Sequence, residues 1–381
     1  MFKFNLKITF IFLFYFNGYT VQNVSAEKVN SVDNEASLYS IYAANDPPPN
    51  FQAFNSRLLK YAKKLGVFIT TEKNSAKRRK AVYYDAARSF YQIAKFTGHK
   101  EPWYSYARKA RDIFVNEYLD INKYKPAGWW IFPHGLEMDW QLGGNPKSLT
   151  SLLNLYNNLS RPGFQPKTNR WVEQMYSRPV AYTLETNMSA ERAGKKRNIV
   201  SVSLLVDMAL GHIRQWTTGV YLDAVGEKQH VQAFMTGLTT SALIDYYERS
   251  IELGAPDERI PVAIKTMADW LWTNMWVADV GGTGGSWTDQ GGTGYGTFRL
   301  RHARVNGNPN PSPMVAQLIV PMYAFLYKHN CDSSYKSKAD LIFSGSVGLV
   351  KNLSKGKFFN QQHRNVFDYF KWRLEGDKRC K

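Results

Sequence analysis

Five groups of polar and aromatic side chains interrupt an otherwise apolar, helical pattern. In chain order they are Tyr83, Tyr84, Asp85 and Arg88; Trp129, Trp130 and His134; Tyr176, Arg178 and Tyr182; His230 and Gln232; and Asn360, Gln361, Gln362, His363 and Arg364. Indole and phenol rings stack on sugar faces, while guanidinium groups and amides hold carboxylates. Such a set suits an acidic sugar chain. On a uronate, β-elimination needs the carboxylate beside C5 neutralised, a base for the C5 proton and an acid for the departing O4. Arg, Asn or Gln can serve the first role, His or Tyr the others. Hydrolysis instead needs two carboxyl groups roughly 5 to 9.5 Å apart. Asp85 is the one carboxylate in the five groups, so elimination is the expected reaction.

The expected roles follow from residue type. Arg364, with Gln361 or Asn360, neutralises the substrate carboxylate; His134 or His230 is the base; Tyr84 or Tyr182 is the acid. Trp129 and Trp130 form a stacking platform, and Asp85, Arg88, Arg178, Gln232 and His363 are further substrate contacts. Bland readings stand beside these. Asp85 and Arg88, three residues apart, also fit a helix-surface ion pair, and a lone histidine opening an apolar helix also fits a structural role. The polar run from Asn360 to Arg364 is harder to read as packing. Glu137, Asp139 and Asp289 are the carboxylates that a glycoside hydrolase would use instead. A protein that only binds acidic polysaccharide would show the same groove without turnover. No histidines show metal-ligand spacing such as His-x-x-x-His, so no metal and no cofactor is expected.

Apolar residues recur at helical spacing from Phe51 onward, as in Val82, Ala86, Phe90, Ile93 and Ala94, and strand-like alternation is scarce. The helices fall into pairs. Short turns occur at Thr97 to Pro102, Gly143 to Pro146, Gly194 to Asn198, Gly254 to Asp257 and His329 to Asp332. In each, Gly or Asn stops one helix and Pro, Asp or Asn starts the next. Asn55 to Leu65 and Gln361 to Arg373 supply one more helix each, enough for six pairs if they pack together. The connections between pairs are long, and all of them must collect at the end opposite the short turns. The five chemical groups stand just after those long connections, at helix starts, where anions are favoured.

Helix pairs joined by Thr-Gly and Gly-Gly turns, with phrases such as Trp129-Trp130-Ile131-Phe132-Pro133-His134-Gly135-Leu136 before a helix, resemble the six-hairpin (α/α) toroids of secreted carbohydrate enzymes. These include alginate-type lyases and unsaturated glucuronyl hydrolases. The resemblance is architectural, covers roughly residues 51 to 375, and implies an all-α (α/α)6 toroid with a polysaccharide cleft. An α-solenoid of helix pairs is the alternative, in which the last helix need not meet the first.

Length and composition bound the rest. The 381 residues, 44% hydrophobic and 21% charged, exclude a disordered chain and a multi-span membrane protein. Met1 to Ala26, with Lys3, Lys7 and the apolar run Ile8 to Phe16, reads as a signal peptide, since that run falls short of the roughly 20 residues a span requires. The expected location is therefore secreted or periplasmic, with residues 27–50 as a polar linker, 51–375 as one domain and 376–381 as a tail. Removing the leader lowers the formal charge from +18 to +16, which still calls for a polyanionic partner. Lys77-Arg78-Arg79-Lys80 reads as a solvated helix start, so no nucleic acid is expected. The glycine-rich segment 281–296 reads as a lid or an insertion. Cys331 and Cys380 either pair or remain two thiols.

Overall fold

A computed structural model describes residues 40–42, 46–159, 173–219, 231–283, 286–302 and 310–381. The expected leader, His230 and most of two long connections lie outside these residues. The described chain is mostly helical, with fourteen α-helices. They are α1 (Phe51–Thr71), α2 (Ser75–Val82), α3 (Ala86–Thr97), α4 (Trp103–Phe114), α5 (Pro133–Gly143), α6 (Pro146–Leu159) and α7 (Ser177–Arg192). There follow α8 (Ile199–Thr218), α9 (Ala233–Glu252), α10 (Arg259–Met275), α11 (Ala316–Asn330), α12 (Ser333–Leu349), α13 (Gly356–His363) and α14 (Val366–Arg379). None of the described helices is long and apolar enough to cross a membrane.

All five short turns join the helices they were expected to join, α3 to α4, α5 to α6, α7 to α8, α9 to α10 and α11 to α12. Burial separates two kinds of helix. On α1 only a stripe is buried, Phe51, Phe54, Leu58, Ala62, Leu65 and Ile69, as one amphipathic face requires. By contrast every residue is buried from Ala86 to Ala94 on α3, from Val180 to Ala190 on α7 and from Ala316 to Tyr327 on α11. Helices enclosed on all sides must be central. They pack in succession, α3 on α5, α5 on α7, α7 on α9, α9 on α11 and α11 on α14.

The last helices return to the first. Phe370 of α14 packs on Phe51, Phe54 and Phe96, with ring centroids 5.7, 5.3 and 5.6 Å away, and His363 lies 5.7 Å from Phe54. Part of the expected linker joins this cluster: Tyr42 is 2% exposed and donates its hydroxyl to the Phe370 carbonyl. The core thus begins before residue 51. At the other end α14 runs to Arg379, and Cys380 is disulfide-bonded to Cys331, 49 residues earlier. Cross-linking a loop of that length contributes about 4 kcal/mol in the chain-entropy account.

Among the described residues, strand content is limited to two short antiparallel pairs, Trp276–Val277 with Thr297–Phe298 and Gly281–Thr283 with Ser286–Thr288. Residues 281–283 and 286–288 of the glycine-rich segment are therefore paired strand. Asp279 anchors the segment by accepting from the backbone N–H groups of Gly292, Thr293 and Gly294 at 2.8, 3.1 and 2.9 Å.

One close helix contact demands glycine. A Cβ on Gly237 would stand 2.4 Å from the Leu318 carbonyl oxygen, so α9 and α11 meet backbone to backbone there. Gly237→Ala should destabilise the fold by about 1 to 3 kcal/mol in urea unfolding, because the overpacking outweighs the gain in helix propensity. Unchanged stability would mean the two helices do not approach as described.

Candidate functional site

The segment between α2 and α3 places two residues in the left-handed region, Tyr84 at φ 70° and Asp85 at φ 64°. Bulky side chains rarely accept that conformation, which persists only when surroundings hold it. Three neighbours do so. Asp85 caps α3, its Oδ1 accepting from the Arg88 N–H at 3.2 Å, and its Oδ2 accepts from the Gly135 N–H at 3.0 Å. Gly135 is required there, since a Cβ would come within 2.3 Å of the Asp85 carboxylate. Asn360 donates from Nδ2 to the carbonyls of Ala81 and Tyr83, both at 2.8 Å.

The turn so fixed presents Tyr83 and Tyr84 beside Trp129 and Trp130. Tyr83 lies edge-on to Tyr84 at 4.6 Å and to Trp130 at 4.8 Å, while Trp130 stacks on Tyr118 at 4.4 Å. Trp129 is 50% exposed. With Arg79, Lys80 and Lys357, the rings of Tyr83, Trp129 and Trp130 line an open groove of about 330 Å³. Lys357 sits 5.7 Å over the Tyr83 ring, and the Arg178 guanidinium 6.0 Å over Trp129. The Lys357 ammonium is held below its usual pKa by burial, then by repulsion from Arg178 and Lys80. Burial also raises the Tyr84 hydroxyl, against the pull of Arg178, which hydrogen-bonds to it, and of Arg364. Among the described residues, Lys80, Arg178 and Lys357 form no ion pair with a carboxylate.

Beneath the groove the expected catalytic residues are buried. Arg364 is 0% exposed and fully engaged: Nε donates to Asn365 Oδ1 at 3.1 Å, Nη1 to the Tyr182 hydroxyl at 3.1 Å and Nη2 to Glu185 at 3.2 Å. It neutralises Glu185, so it is not placed to neutralise a substrate carboxylate. Burial opposes its charge, but Tyr182 and Glu185 more than restore it. Tyr182, equally buried, is held far above a usable acid's range by desolvation.

His134 accepts at Nδ1 from Arg88 Nη1 at 3.1 Å, which leaves its proton on Nε2, 3.7 Å from Asp245. Burial, then the Arg88 charge, pushes its pKa down to about 3. Arg88 also pairs with Asp368 at 2.9 Å, not with Asp85. The alternative reading of Asp85 and Arg88 as a helix-surface pair does not hold, and the two expected substrate contacts serve instead as a backbone cap and a cross-helix bridge.

The polar run from Asn360 to Arg364, read as substrate-facing, instead fills the polar needs of irregular backbone inside the core. Gln362 donates to the carbonyls of Pro313 and Met314 at 3.1 and 2.6 Å, and accepts from the Ser346 hydroxyl. His363 Nδ1 donates to the Phe359 carbonyl at 2.7 Å, its pKa pushed down to about 4 by burial. Gln361 is 7% exposed beside them. Gln232 is 9% exposed, its backbone bridged to Arg301. The carboxylates held in reserve are also spoken for. Asp139 accepts from Tyr91 and Ser148, Glu137 pairs with Arg192 at 2.5 Å, and Asp289 pairs with Arg299 at 2.6 Å.

The structure also assembles residues outside the five groups. Glu185, Asp245, Arg192 and Asp368 surround His134, with Arg192 bridging Glu137 and Asp245. Burial works to raise the Asp245 carboxyl, yet Arg192 and His134 carry it well below the usual range. Burial raises Glu185 and Asp368 despite their arginine partners. A lone carboxylate inside an apolar helix, such as Glu185 in Tyr182-Thr-Leu-Glu or Asp245 in Leu-Ile-Asp, was the available sequence signal. No protein-family model, curated protein or solved structure matches this chain.

His134 and His363 are neutral when folded and titrate near pH 6.5 when unfolded. The unfolded chain therefore takes up more protons at these sites as pH falls from about 6.5, and each costs up to about 1.4 kcal/mol of stability per pH unit. His134→Gln, which keeps an acceptor for Arg88, should remove close to one proton from the slope of unfolding free energy between pH 6.5 and 4.5. An unchanged slope in urea titrations would refute the buried neutral histidine.

Proposed function

We propose that the protein is a secreted polysaccharide lyase of the (α/α)6-toroid kind, acting on an acidic, uronate-containing polysaccharide at the groove of Tyr83, Trp129 and Trp130. The observation that carries this reading is electrostatic. Lys80, Arg178 and Lys357 gather around the partly exposed rings of the groove without carboxylate partners among the described residues, and their mutual repulsion is relieved by an anionic ligand. The return of α14 onto α1 and α3 supports a toroid over a solenoid.

In this reading Arg178 takes the uronate carboxylate and lowers the cost of charge at C5. The C5 proton passes to a base and the C4–O4 bond breaks as the C4=C5 double bond forms. Tyr84, protonated and hydrogen-bonded to Arg178, gives its proton to the departing O4. His230, outside the described residues, is the proposed base, because His134 already uses Nδ1 for Arg88. Trp129 and Trp130 stack on neighbouring sugars.

The intact chain should release products absorbing near 235 nm from one member of an acidic-polysaccharide panel, and binding should weaken as salt rises. Tyr84→Phe should cost about 10²- to 10⁴-fold in turnover, and Trp129→Ala should act mainly on binding. New reducing ends without that absorbance would mean a glycoside hydrolase. Binding with no new ends would mean a binding protein.

A further inference from the structure

Three neighbouring elements contain no acidic residue. Helix α1, helix α2 and the stretch from Val350 through α13 hold four, four and three lysines and arginines, with neither Asp nor Glu among them. These elements pack on one another. A Cβ on Gly356 would lie 2.4 Å from the Ala81 carbonyl oxygen and 2.8 Å from Leu65 Cδ1, which shows how closely they meet. Much of the net charge of +18 is therefore concentrated in one region.

The exposed lysines of this region follow one another toward the groove. Tyr61 of α1 donates its hydroxyl to the Lys351 carbonyl at 3.1 Å, and Lys60 and Lys64 each stand 5.7 Å over its ring. Lys355 stands 5.8 Å over Phe358. Two residues on, Lys357 reaches 5.7 Å over Tyr83 in the groove itself, which it lines together with Lys80. None of these six lysines forms an ion pair with a carboxylate among the described residues. By contrast Lys77 and Arg78, earlier on α2 and outside the groove lining, pair with Glu72 and Glu117.

Lys60 and Lys64 are one helical turn apart, about 6 Å along the axis. That is inside the screening length of about 10 Å at 0.1 M ionic strength. Like charges held so close repel, and an aromatic ring answers a cation more weakly than a carboxylate does. A ligand with several negative charges in a row relieves that repulsion at every step, whereas a singly charged one relieves it once. The line of cations also runs into a concave groove, a path that a polymer can follow and a flat bilayer cannot.

We propose that Lys60, Lys64, Lys351, Lys355, Lys357 and Lys80 form a track that holds an acidic polysaccharide beyond the groove, so that the protein takes long chains in preference to short ones. The inference rests on the reading of the groove as a site for that polymer.

The test measures binding of the intact chain to alginate, polygalacturonate, hyaluronate and chondroitin sulfate by calorimetry, each as long chains and as tri- or tetrasaccharides, with phosphatidylglycerol vesicles as the membrane control. Long chains of at least one polymer should bind about tenfold or more tighter per uronate than the short form, an advantage that shrinks as salt rises. Lys60→Glu with Lys64→Glu, on the exposed side of α1, should weaken long-chain binding about tenfold and short-chain binding by about twofold at most. Lys351→Glu with Lys355→Glu should do the same and remains informative if the first variant fails to fold. Lys195→Glu with Lys196→Glu, exposed in the turn between α7 and α8, changes net charge equally and should leave long-chain binding unaltered. Equal affinity for long and short forms, unaltered long-chain binding in both track variants, or an equal loss in the Lys195 and Lys196 variant would overturn the track and leave the groove reading standing. Tighter binding of the vesicles than of any polymer would overturn it in favour of a membrane surface. Loss in the track variants with none in Trp129→Ala would support the track and overturn the groove reading. Binding of none of the four polymers would overturn both.

Discussion

The structure turns on one buried ion pair, Arg364 with Glu185, whose side chains are 0% and 1% exposed. Taking both charges out of water is expensive, and the pair is tolerated because Tyr182 and Asn365 each take a further guanidinium N–H. Removing one partner would strand the other, a loss of about 3 to 5 kcal/mol in comparable sites. Arg364 comes from the link between the last two helices and Glu185 from the middle of α7, so the pair joins parts of the chain 179 residues apart. His134, Asp245, Arg192 and Glu137 continue the network from Glu185, and Arg88 with Asp368 adds a second arm. Helices α3, α5, α7, α9 and α14 each contribute. Apolar burial is non-directional and would allow these helices to rotate or slide. The charges remove that freedom, because any slip leaves a buried ion unpaired.

The same constraint explains why the polar residues of the last turn of α13 serve packing. An enclosed chain that leaves helical geometry between α2 and α3, and again at Pro313 and Met314, exposes carbonyls that water does not reach. Asn360 and Gln362 supply the missing donors. Positioning follows from that satisfaction. By clamping the carbonyls on either side of Val82, Asn360 fixes the strained turn that carries Tyr83 into the groove, with Tyr84 buried beside it.

Helix pairing was legible in the sequence because it is local. Gly98, Gly144 and Gly254 sit at the left-handed positions that end helices, and the following Pro or Asp opens the next. The meeting of Phe370 with Phe54 was legible in outline, from the count of helices. Burial was not. Arg88, Arg364 and Asn360 carry residue types that belong on surfaces, and only long-range packing shows that each has a partner supplied from far along the chain. Trp129, Trp130 and Arg178, expected at a binding surface, do lie around one groove. Glu185, Asp245 and Asp368 were overlooked because each is a single charge within a helix, and its partners lie on other helices.

Net charge alone locates nothing in this molecule. In the cavity of about 350 Å³ lined by Arg88, Arg192, Arg249 and Lys371, most cations are answered by carboxylates at hydrogen-bond distance, so the lining is dense in charge yet balanced. Around Tyr83 and Trp129 the cations face aromatic rings, which stabilise a cation far more weakly than a carboxylate does. An excess of positive charge acts on a ligand only where it is left uncompensated, and pairing therefore decides its effect more than number. Lysine and arginine line both this cavity and the groove. The difference between them is set by where the carboxylates fall: Asp245, Glu248, Glu252 and Asp368 all occur on α9 and α14, which line the cavity and not the groove.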